Sequence, residues 1–330
     1  MISFAGFGHA LPDREVSLED LAEMHRVDAA RLARSPGIKV RRYCTTESQV
    51  DLATRAALDA LDDAGIDAGD VDVVISAAGV SYQPLPGMAP LIMREIGISD
   101  GAAEALDVNT TCLSFCSALD IAAMRLALRP QEVILIVSSE MASRGLPWTS
   151  DPETAALFGD GAAAAVITQG ETRLLSRRFA TYPSGWEACQ IASGGTRLDP
   201  RKNAEAFEKG SEFAMNPRDL FRLTAGNLPR FVDEVLKDAG WTAGEVDTVV
   251  PHQASPLALT HMARACGFSR SQVIDIMEGH GNMIAASIPL ALGMAAAEER
   301  LAPGRRILLL GTSAGVSFGG LALEIGGDTA

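Results

Sequence analysis

The sequence predicts an α/β protein made of two copies of one βαβαβ unit. Residues 60–76, ALDDAGIDAGDVDVVIS, return as VLKDAGWTAGEVDTVVP at residues 235–251, an offset of 175. In a second pair, residues 112–139 and 286–313, an apolar helix is followed by a Pro-containing turn and an apolar strand. Self-similarity of this kind is the signature of a repeated structural unit. The strands are continuous apolar runs, which is typical of a sheet covered on both faces.

The elements of each copy follow from local signals. In the first pair, a helix ends at Asp-Ala-Gly, a short turn follows, and an acidic-Val-Asp triplet leads into a strand of β-branched residues. In the second pair, helices rich in Ala, Leu and Met are apolar nearly all round, as expected for helices buried between other layers. We therefore predict two halves, residues 1–170 and 171–330, with a long Gly- and Pro-rich loop at 182–207. Related halves should pack about a pseudo-two-fold axis, so that equivalent helix N-termini meet at the centre.

The composition excludes several classes of protein. The chain has 330 residues, of which 47% are hydrophobic and 21% charged, so it can bury a large core and is not disordered. Five cysteines, an odd number, favour reduced thiols and a cytoplasmic protein. The N-terminus lacks a basic n-region, and no apolar run approaches the roughly 18 residues that span a bilayer. The net charge of −14 argues against nonspecific binding to nucleic acid or anionic membranes.

Two cysteines, Cys112 and Cys116, stand four residues apart in NTTCLSFCSA. They could form a metal pair or a disulfide, both could be core residues, or Cys112 could be a nucleophile. The spacing is not typical of zinc, and a disulfide does not suit a cytoplasmic chain. Cys112 lies between a predicted strand and a long apolar helix, where a helix N-terminus lowers the pKa of a thiol and offers N–H groups to an oxyanion. We interpret Cys112 as a candidate nucleophile and Cys116 as a core residue.

A histidine and an asparagine are the matching candidates in the second half. His252, in VVPHQAS, follows a strand, and the carboxyl ends of buried strands face the crevice where open α/β sheets bind ligands. Asn282, in GHGNMIAASIPLAL, stands in a Gly-flanked turn before the second apolar helix. A structural histidine and a plain helix N-cap are the alternatives. The duplication brings the elements of both residues to the centre, where Cys112 is also predicted to lie.

These positions resemble the Cys-His-Asn triad of the β-ketoacyl-acyl-carrier-protein synthase III group of the thiolase superfamily. The segments that carry the resemblance are DVNTTCLSF around Cys112, PHQAS at His252 and HGNMIAASIPLAL at Asn282. LFGDGAAAAVI, at 157–167, and the closing GTSAGVSFGG fall where the family has its Phe-Gly-Asp-Gly-Ala turn and its Gly-rich oxyanion loop. The resemblance covers essentially the whole chain. It implies the thiolase-like duplicated five-layer αβαβα fold.

The resemblance also implies a chemistry. Cys112 attacks an acyl thioester, and His252 and Asn282 hydrogen-bond the thioester carbonyl of malonyl carrier protein while carbon dioxide leaves. The resulting enolate attacks the acyl-Cys to give a β-ketoacyl thioester, and the backbone N–H groups of Cys112 and Ala314 form the oxyanion hole. Acyl-CoA and acyl carrier protein are the implied substrates, and no metal or redox cofactor is implied. The family further implies a homodimer with residues 81–95 near its interface.

Several positions depart from the family pattern. The W-x-x-x-R-T-G-I segment, which clasps the adenine of coenzyme A, reads RLARSPGI at 31–38. Ser255 replaces the Asn of P-H-Q-A-N, and Thr312 stands for a Phe beside the catalytic Cys and His. Arg144, assisted by Ser81, could bind a carboxylate, which resembles the subgroup that condenses a dicarboxylic monothioester such as glutaryl-CoA in biotin precursor synthesis. A surface or interface ion pair is the alternative for Arg144.

Two basic clusters are candidates for docking a phosphate-bearing or acidic partner such as coenzyme A or acyl carrier protein. The first is the acid-free stretch 31–42 and the second lies in NPRDLFRL, and a solvated face is the alternative. The candidate docking residues are Arg31, Arg34, Lys39, Arg218 and Arg222.

Two rival functions remain open at the level of the sequence. An acyltransferase, or a specialised secondary-metabolite ketosynthase, would use the same acyl-Cys112. A non-catalytic partner subunit of a heterodimer usually lacks the cysteine. The retained Asn282 favours condensation, and the retained Cys112 favours an enzyme over a partner subunit.

Overall fold

The computed structural model describes residues 1–33 and 37–327. Strands and helices alternate along most of this chain. The strands are β1 (Ile2–Ala10), β2 (Glu15–Ser17), β3 (Val40–Arg42), β4 (Val73–Ser76), β5 (Glu104–Asp107), β6 (Ile134–Glu140), β7 (Gly161–Thr181), β8 (Cys189–Gln190), β9 (Ala214–Met215), β10 (Thr248–Pro251), β11 (Arg306–Ser313) and β12 (Ser317–Glu324). The helices are α1 (Leu18–His25), α2 (Ala29–Leu32), α3 (Gln49–Ala64), α4 (Ala89–Glu95), α5 (Ser114–Leu128), α6 (Pro152–Ala155), α7 (Ala204–Lys209), α8 (Pro217–Ala239), α9 (Pro256–Ala265), α10 (Met277–His280) and α11 (Ser287–Ala297).

The main strands form one hydrogen-bonded series in the order β10-β11-β12-β7-β6-β4-β5, and β1 also pairs with β7. β7 has 21 residues and joins two sheets. Its first part pairs with β1 and β6, and its last part pairs with β12. The parallel pairs β4–β6 and β10–β11 lie in opposite halves at equivalent places.

Three apolar clusters show five stacked layers. One cluster packs α3 and α4 on the outer face of the first sheet. A central cluster packs α5 and α11 between the two sheets. A third packs α8 and α9 on the outer face of the second sheet. This is the five-layer αβαβα arrangement that the family resemblance implied.

The repeat predicted from the sequence is confirmed in its first pair of segments. α3 ends at Ala64 and α8 ends at Ala239, and each is followed by a Gly C-cap in the left-handed conformation. β4 and β10 then occupy residues 73–76 and 248–251, at the same offset. The predicted loop 182–207 holds only short elements, which are a 3-10 helix at Pro183–Gly185, β8 and the start of α7. The division at residue 170 falls inside the continuous strand β7, and the two-domain description stays a prediction.

α5 belongs to the longest apolar helical stretch. Thr111–Leu128 is long and apolar enough to cross a membrane by length and composition, contrary to the expectation that no run approaches that length. The sequence pattern hid it because Asp120 and Arg125 interrupt the apolar residues. The stretch is 44% buried inside the protein, and its apolar face lies in the central core, where helices of folded proteins pass the same test.

Candidate active site

Cys112 lies at a corner between a strand and a helix, as predicted. β5 is followed by a short 3-10 helix, Thr111–Leu113, which leads directly into α5. Thr111 adopts a φ of 52°, an unusual conformation for a β-branched residue. Two side chains hold this corner: Asn109 Oδ1 accepts from the Thr111 N–H at 3.0 Å, and Ser114 Oγ accepts from the Thr110 N–H at 3.0 Å. The corner is therefore built to present Cys112 at the start of the helix.

The second half repeats this corner around Asn282. Asn282 Oδ1 accepts from the Ile284 N–H at 2.8 Å, and Ser287 Oγ accepts from the Met283 N–H at 3.0 Å. Ile284 has a φ of 49°, like Thr111 in the first half. The hydrogen bonds match at an offset of 173, not the 174 that aligned residues 112–139 with 286–313. At this offset Asn282 corresponds to Asn109, and Ala285 corresponds to Cys112. The alignment made from the sequence alone was therefore wrong by one residue.

His252 follows β10 directly, and its N–H donates to the Leu310 carbonyl of β11 at 2.8 Å. Gly311 allows the two halves to approach here. A Cβ added at Gly311 would lie 2.8 Å from Leu113 Cδ2, beside Cys112, and 3.2 Å from the Cβ of His252. A side chain at this position would push apart the elements that carry Cys112 and His252.

Cys112, His252 and Asn282 line one cavity of about 440 Å³, with residues from both halves. Thr312 and Ala314, both predicted as site residues, line it too. A larger cavity, of about 760 Å³ between β1, α3 and α11, contains none of the predicted site residues. The remaining lining residues are uncharged and mostly apolar: Gly79, Val80, Thr111, Ala142, Gly145, Leu146, Thr154, Leu157, Phe158, Cys189, Gln190, Ile191, Phe213, Met215, Leu220, Ala254, Ile284, Ser313 and Gly315.

The expected lowering of the Cys112 pKa is wrong for the free protein. Burial raises the pKa of the Cys112 thiol far above its ordinary value, and the neighbouring Cys189 and Glu140 raise it further. The backbone N–H groups of Ala314 and Cys112 act in the opposite direction, by hydrogen-bonding the sulfur. Loss of solvation outweighs the helix N-terminus because burial disfavours the charged form of a thiol. The resting nucleophile is therefore a neutral thiol.

His252 is also neutral at rest. Burial lowers its pKa to about 4, and a backbone hydrogen bond with Ile284 offsets part of that shift. Its Nδ1 is buried and has no hydrogen-bond partner among the described residues. Asn282 Nδ2 donates to the Ala254 carbonyl at 3.3 Å, which leaves its second N–H uncommitted. The site therefore holds a neutral thiol, a neutral imidazole and an amide donor.

The other residues predicted to bind substrate lie elsewhere. Arg144 is exposed, and Ser81 borders a separate cavity of about 180 Å³. Neither lines the Cys112 cavity, because the chain turns away at Ala142 and Gly145, which do. Ser255 is the N-cap of α9, where its Oγ accepts from the Ala258 N–H at 3.1 Å.

The predicted docking residues fall into two groups. Arg31 forms an ion pair with Glu153 at 2.7 Å, and Lys39 forms one with Glu278. Arg34 lies outside the described residues. Arg218 and Arg222 are exposed on the first turns of α8, close to Leu220, which lines the cavity. The second group is therefore carried by a helix that contributes a residue to the cavity wall.

Sequence analysis missed two residues of this site. Cys189 lines the cavity, and burial raises its pKa to about 12, whereas the sequence placed it only in a long loop. Glu140 is fully buried beside Cys112, and burial raises its pKa to about 8 although three backbone N–H groups lower it. A lone acidic residue at the end of an apolar strand was the only signal for Glu140. Cys116 is fully buried in the core, as predicted.

A duplicated five-layer fold with a cysteine, a histidine and an asparagine at the junction of its halves defines a class: the condensing enzymes of the thiolase superfamily. Comparison with known families agrees. The model described as 3-oxoacyl-[acyl-carrier-protein (ACP)] synthase III matches residues 106–183, and the model of the C-terminal part of that enzyme matches residues 236–325.

Individual relatives match over the full length. The β-ketoacyl-[acyl-carrier-protein] synthase III of Neisseria meningitidis serogroup B is 31% identical over 326 residues, which cover 97% of this chain and 98% of the relative. The 3-oxoacyl-(acyl carrier protein) synthase III of Pseudomonas aeruginosa PAO1 superposes with a TM-score of 0.87 at 27% identity, over 100% of this chain and 99% of that one. The priming β-ketosynthase of the R1128 polyketide pathway gives 0.88 at 25% identity, over 99% and 97%.

The chain belongs to the 3-oxoacyl-[acyl-carrier-protein] synthase III family. It is an acyltransferase of the decarboxylating, condensing type.

Proposed function

We propose that this enzyme transfers an uncharged acyl group from a thioester to Cys112 and condenses it with malonyl-acyl carrier protein. The observation that carries this proposal is the meeting of Cys112, His252 and Asn282 in one apolar cavity built from both halves. A nucleophile, a proton acceptor and an amide donor in a site of low polarity suit a reaction that passes through an oxyanion and an enolate.

In the first step, Cys112 Sγ attacks the carbonyl carbon of the acyl thioester. Because the thiol and the imidazole are both neutral at rest, the thiol proton passes to His252 as the C–S bond forms. The N–H groups of Cys112 and Ala314 stabilise the oxyanion of the tetrahedral intermediate. The intermediate collapses, the original thiolate leaves with the proton from His252, and the acyl group stays on Cys112.

In the second step, malonyl carrier protein replaces the released thiol. His252 and Asn282 donate hydrogen bonds to its thioester carbonyl, and the electron pair of the breaking C–C bond becomes an enolate as carbon dioxide leaves. The enolate carbon attacks the acyl-Cys carbonyl, and Cys112 departs as a thiolate that takes up a proton. Every step is assigned to groups of the chain itself, and we propose that no metal or redox cofactor takes part.

The nature of the cavity supports an uncharged acyl chain longer than acetyl. A volume of about 440 Å³ falls within the 300–1,000 Å³ typical of small-molecule sites, and an acetyl group needs only a small part of it. Within residues 1–33 and 37–327, no Arg or Lys lines the cavity to pair with a terminal carboxylate. Glutaryl-CoA, and with it a role in biotin precursor synthesis, is the alternative donor that sequence analysis raised.

Competition between hexanoyl-CoA and glutaryl-CoA tests both the function and the donor. We expect intact-mass measurement to show a hexanoyl adduct on the wild-type protein, and carbon dioxide to be released once malonyl carrier protein is added. Arg144→Ala should change the ratio of the two kcat/KM values less than about twofold, because Arg144 lies outside the cavity. A selective loss of glutaryl transfer in Arg144→Ala would instead support glutaryl-CoA as the acyl donor. An acyl adduct without carbon dioxide release would favour the acyltransferase, and no adduct with any donor would favour a non-catalytic subunit.

We propose that the first turns of α8 dock the acidic carrier protein. Arg218 and Arg222 flank Leu220 and Phe221; Leu220 lines the cavity, and Phe221 is 61% exposed and packs against the ring of His261. A charged rim around an exposed aromatic residue is typical of a protein-binding surface. Arg222 also has an acidic partner, Asp219, at 3.4 Å one turn earlier on the same helix. Arg31 and Lys39 are less suited because their ion pairs, Arg31 with Glu153 at 2.7 Å and Lys39 with Glu278, tie them to distant segments of the chain.

Arg222→Glu should raise the KM for malonyl carrier protein several-fold and leave kcat for a small thioester substrate unchanged. The reason is that surface charges guide association and contribute little to chemistry. Arg55→Glu, an exposed site on α3 in the opposite outer layer, is the matched control. Added salt should raise the KM of the wild type and have less effect on Arg222→Glu, since salt screens exposed charges. A KM that does not change in Arg222→Glu would refute this docking site.

We also propose a homodimer and keep the cytoplasmic location as a prediction. β5 is an edge strand, paired only with β4 among the described strands. Nearby, Tyr82 and Leu85 are 46% and 86% exposed, in the region predicted to lie at the interface. Sedimentation equilibrium should give twice the chain mass of 34.7 kDa. All five cysteines are free thiols, which is compatible with a reducing compartment.

A further inference from the structure

Glu140 carries a buried carboxyl group at the centre of the molecule that takes no part in the proposed chemical steps. It ends β6 and has no exposed surface. Its Oε2 accepts from the Val80 N–H at 2.9 Å, and its Oε1 accepts from the N–H groups of Gly79 and, at 3.3 Å, Ala285. A buried carboxylate is costly unless such donors surround it, so these contacts define its position. Glu140 therefore links the first half of the chain to the second.

Each of these N–H groups belongs to the site. Gly79 and Val80 line the cavity, and Ala285 follows Ile284, whose N–H is held by Asn282. The contact is tight, since a Cβ added at Gly79 would lie 2.7 Å from Ile284 Cγ2 and 3.3 Å from Glu140 Oε1. Movement of Glu140 would thus act on both the cavity wall and the turn that carries Asn282.

The internal repeat indicates why a carboxylate stands here. β4 pairs Ser76 with Val137 of β6, and β10 pairs Pro251 with Leu310 of β11, which sets the offset between β6 and β11 at 173. Glu140 then corresponds to Ser313, just as Ala285 corresponds to Cys112. Ser313 is small and lines the open cavity, whereas Glu140 reaches the N–H of buried Ala285. The space beside Ala285, which is equivalent to the substrate site beside Cys112, is therefore occupied by the Glu140 side chain.

We propose that Glu140 is a positioning residue that joins the cavity wall of one half to the Asn282 turn of the other. Its carboxylate sets the place of the Asn282 amide relative to acyl-Cys112. This inference rests on the proposed function. It assigns Glu140 to the decarboxylation step more than to the acylation of Cys112. The link through Ala285 ends at Asn282 itself, whereas the link through the Gly79 carbonyl reaches the Cys112 corner only by way of Asn109.

The test compares Glu140→Gln with Glu132→Gln. Gln has the same shape, but its NH₂ group would face a backbone N–H that now has an acceptor. Glu132 is another buried glutamate, placed just before the opposite end of β6, and its ion pair with Arg125 lies outside the cavity. We expect carbon dioxide release to fall about 10- to 100-fold in Glu140→Gln, as a small displacement of a binding group can cost that much. Acylation of Cys112, followed by intact mass, should fall far less, and Glu132→Gln should change neither rate selectively.

Hydrogen exchange supplies a readout that does not depend on the reaction. Amides 79, 80 and 285 should exchange faster in Glu140→Gln than in the wild type or in Glu132→Gln. If Gln prevents folding, Glu140→Asp, which keeps the carboxyl group on a shorter side chain, should show the same order of effects. Unchanged exchange, or equal losses in both partial reactions, would overturn the positioning role. Absence of acylation and carbon dioxide release in the wild type would instead overturn the proposed function, while the exchange result would still report on the link.

Discussion

Cys112→Ala is expected to abolish both the acyl adduct and the condensation. Without Sγ no covalent intermediate can form, and loss of a nucleophile lowers rates by at least about 10³-fold. Intact-mass measurement after incubation with an acyl-CoA would show the adduct on the wild type only. The cavity itself should remain, because the corner is held by Asn109 and Ser114 and not by the thiol.

Cys189→Ala is the matched control for this substitution. Cys189 lines the same cavity, and burial raises the pKa of its thiol as it does that of Cys112. Cys189 lies on the short strand β8 and does not itself begin a helix, and the N–H of Ala314 is directed to Cys112. We therefore expect Cys189→Ala to keep the adduct. An adduct that survives in Cys112→Ala but disappears in Cys189→Ala would show that Cys189, and not Cys112, is the nucleophile.

His252→Asn is expected to lower carbon dioxide release from malonyl carrier protein by about 10²–10³-fold, the usual cost of losing one donor to a developing oxyanion. The Asn amide does not reach as far as the imidazole, so it does not replace this donor. Because the amide also cannot accept the Cys112 proton, acylation should slow as well. Because burial lowers the His252 pKa to about 4, the ring stays neutral near pH 7, and the wild-type rate should not follow imidazole titration between pH 6 and 8. Stopped assays of the two partial reactions over this pH range check both statements.

His25→Asn serves as the control for a general effect of losing a buried ring. Burial lowers the pKa of His25 too, and its ring stacks on Trp148 with centroids 3.8 Å apart, but it does not line the cavity. We expect this variant to lose some stability and to keep both partial reactions. Equal decarboxylation rates in His252→Asn and the wild type would remove His252 from the proposed mechanism.

Much of the fold could be predicted because its signals are local. Helix ends at Asp-Ala-Gly and β-branched runs recur at an offset of 175, and the structure places α3, β4, α8 and β10 at that spacing. The second pair of segments has no shared helix-end motif of this kind, so its alignment from the sequence was wrong by one residue. The register appears in the hydrogen bonds of Asn109 and Asn282 and in the pairing of β6 and β11 with their neighbouring strands, all of which are contacts of the folded chain.

Part of the site could be predicted because its signals are also local. Cys112, His252 and Asn282 each stand at the end of a recognisable element, so their meeting followed from the repeat. The exposed position of Arg144 could not be predicted in this way. A place after a strand does not show which way the loop turns, and here the loop turns outward. The prediction of a lowered pKa for the Cys112 thiol was also wrong, because desolvation depends on every neighbour and not only on the helix that follows.

The sequence by itself determined the duplicated layers and the three residues that converge, because periodicity and repeat spacing depend on neighbours along the chain. Only the tertiary structure decided that the cavity is uncharged, that Cys189 enters it, and that Glu140 joins the halves. Those properties arise from contacts between segments 60 or more residues apart, which no local pattern records. Burial at such contacts also decides which groups are neutral at rest, and therefore how the proton of Cys112 must move.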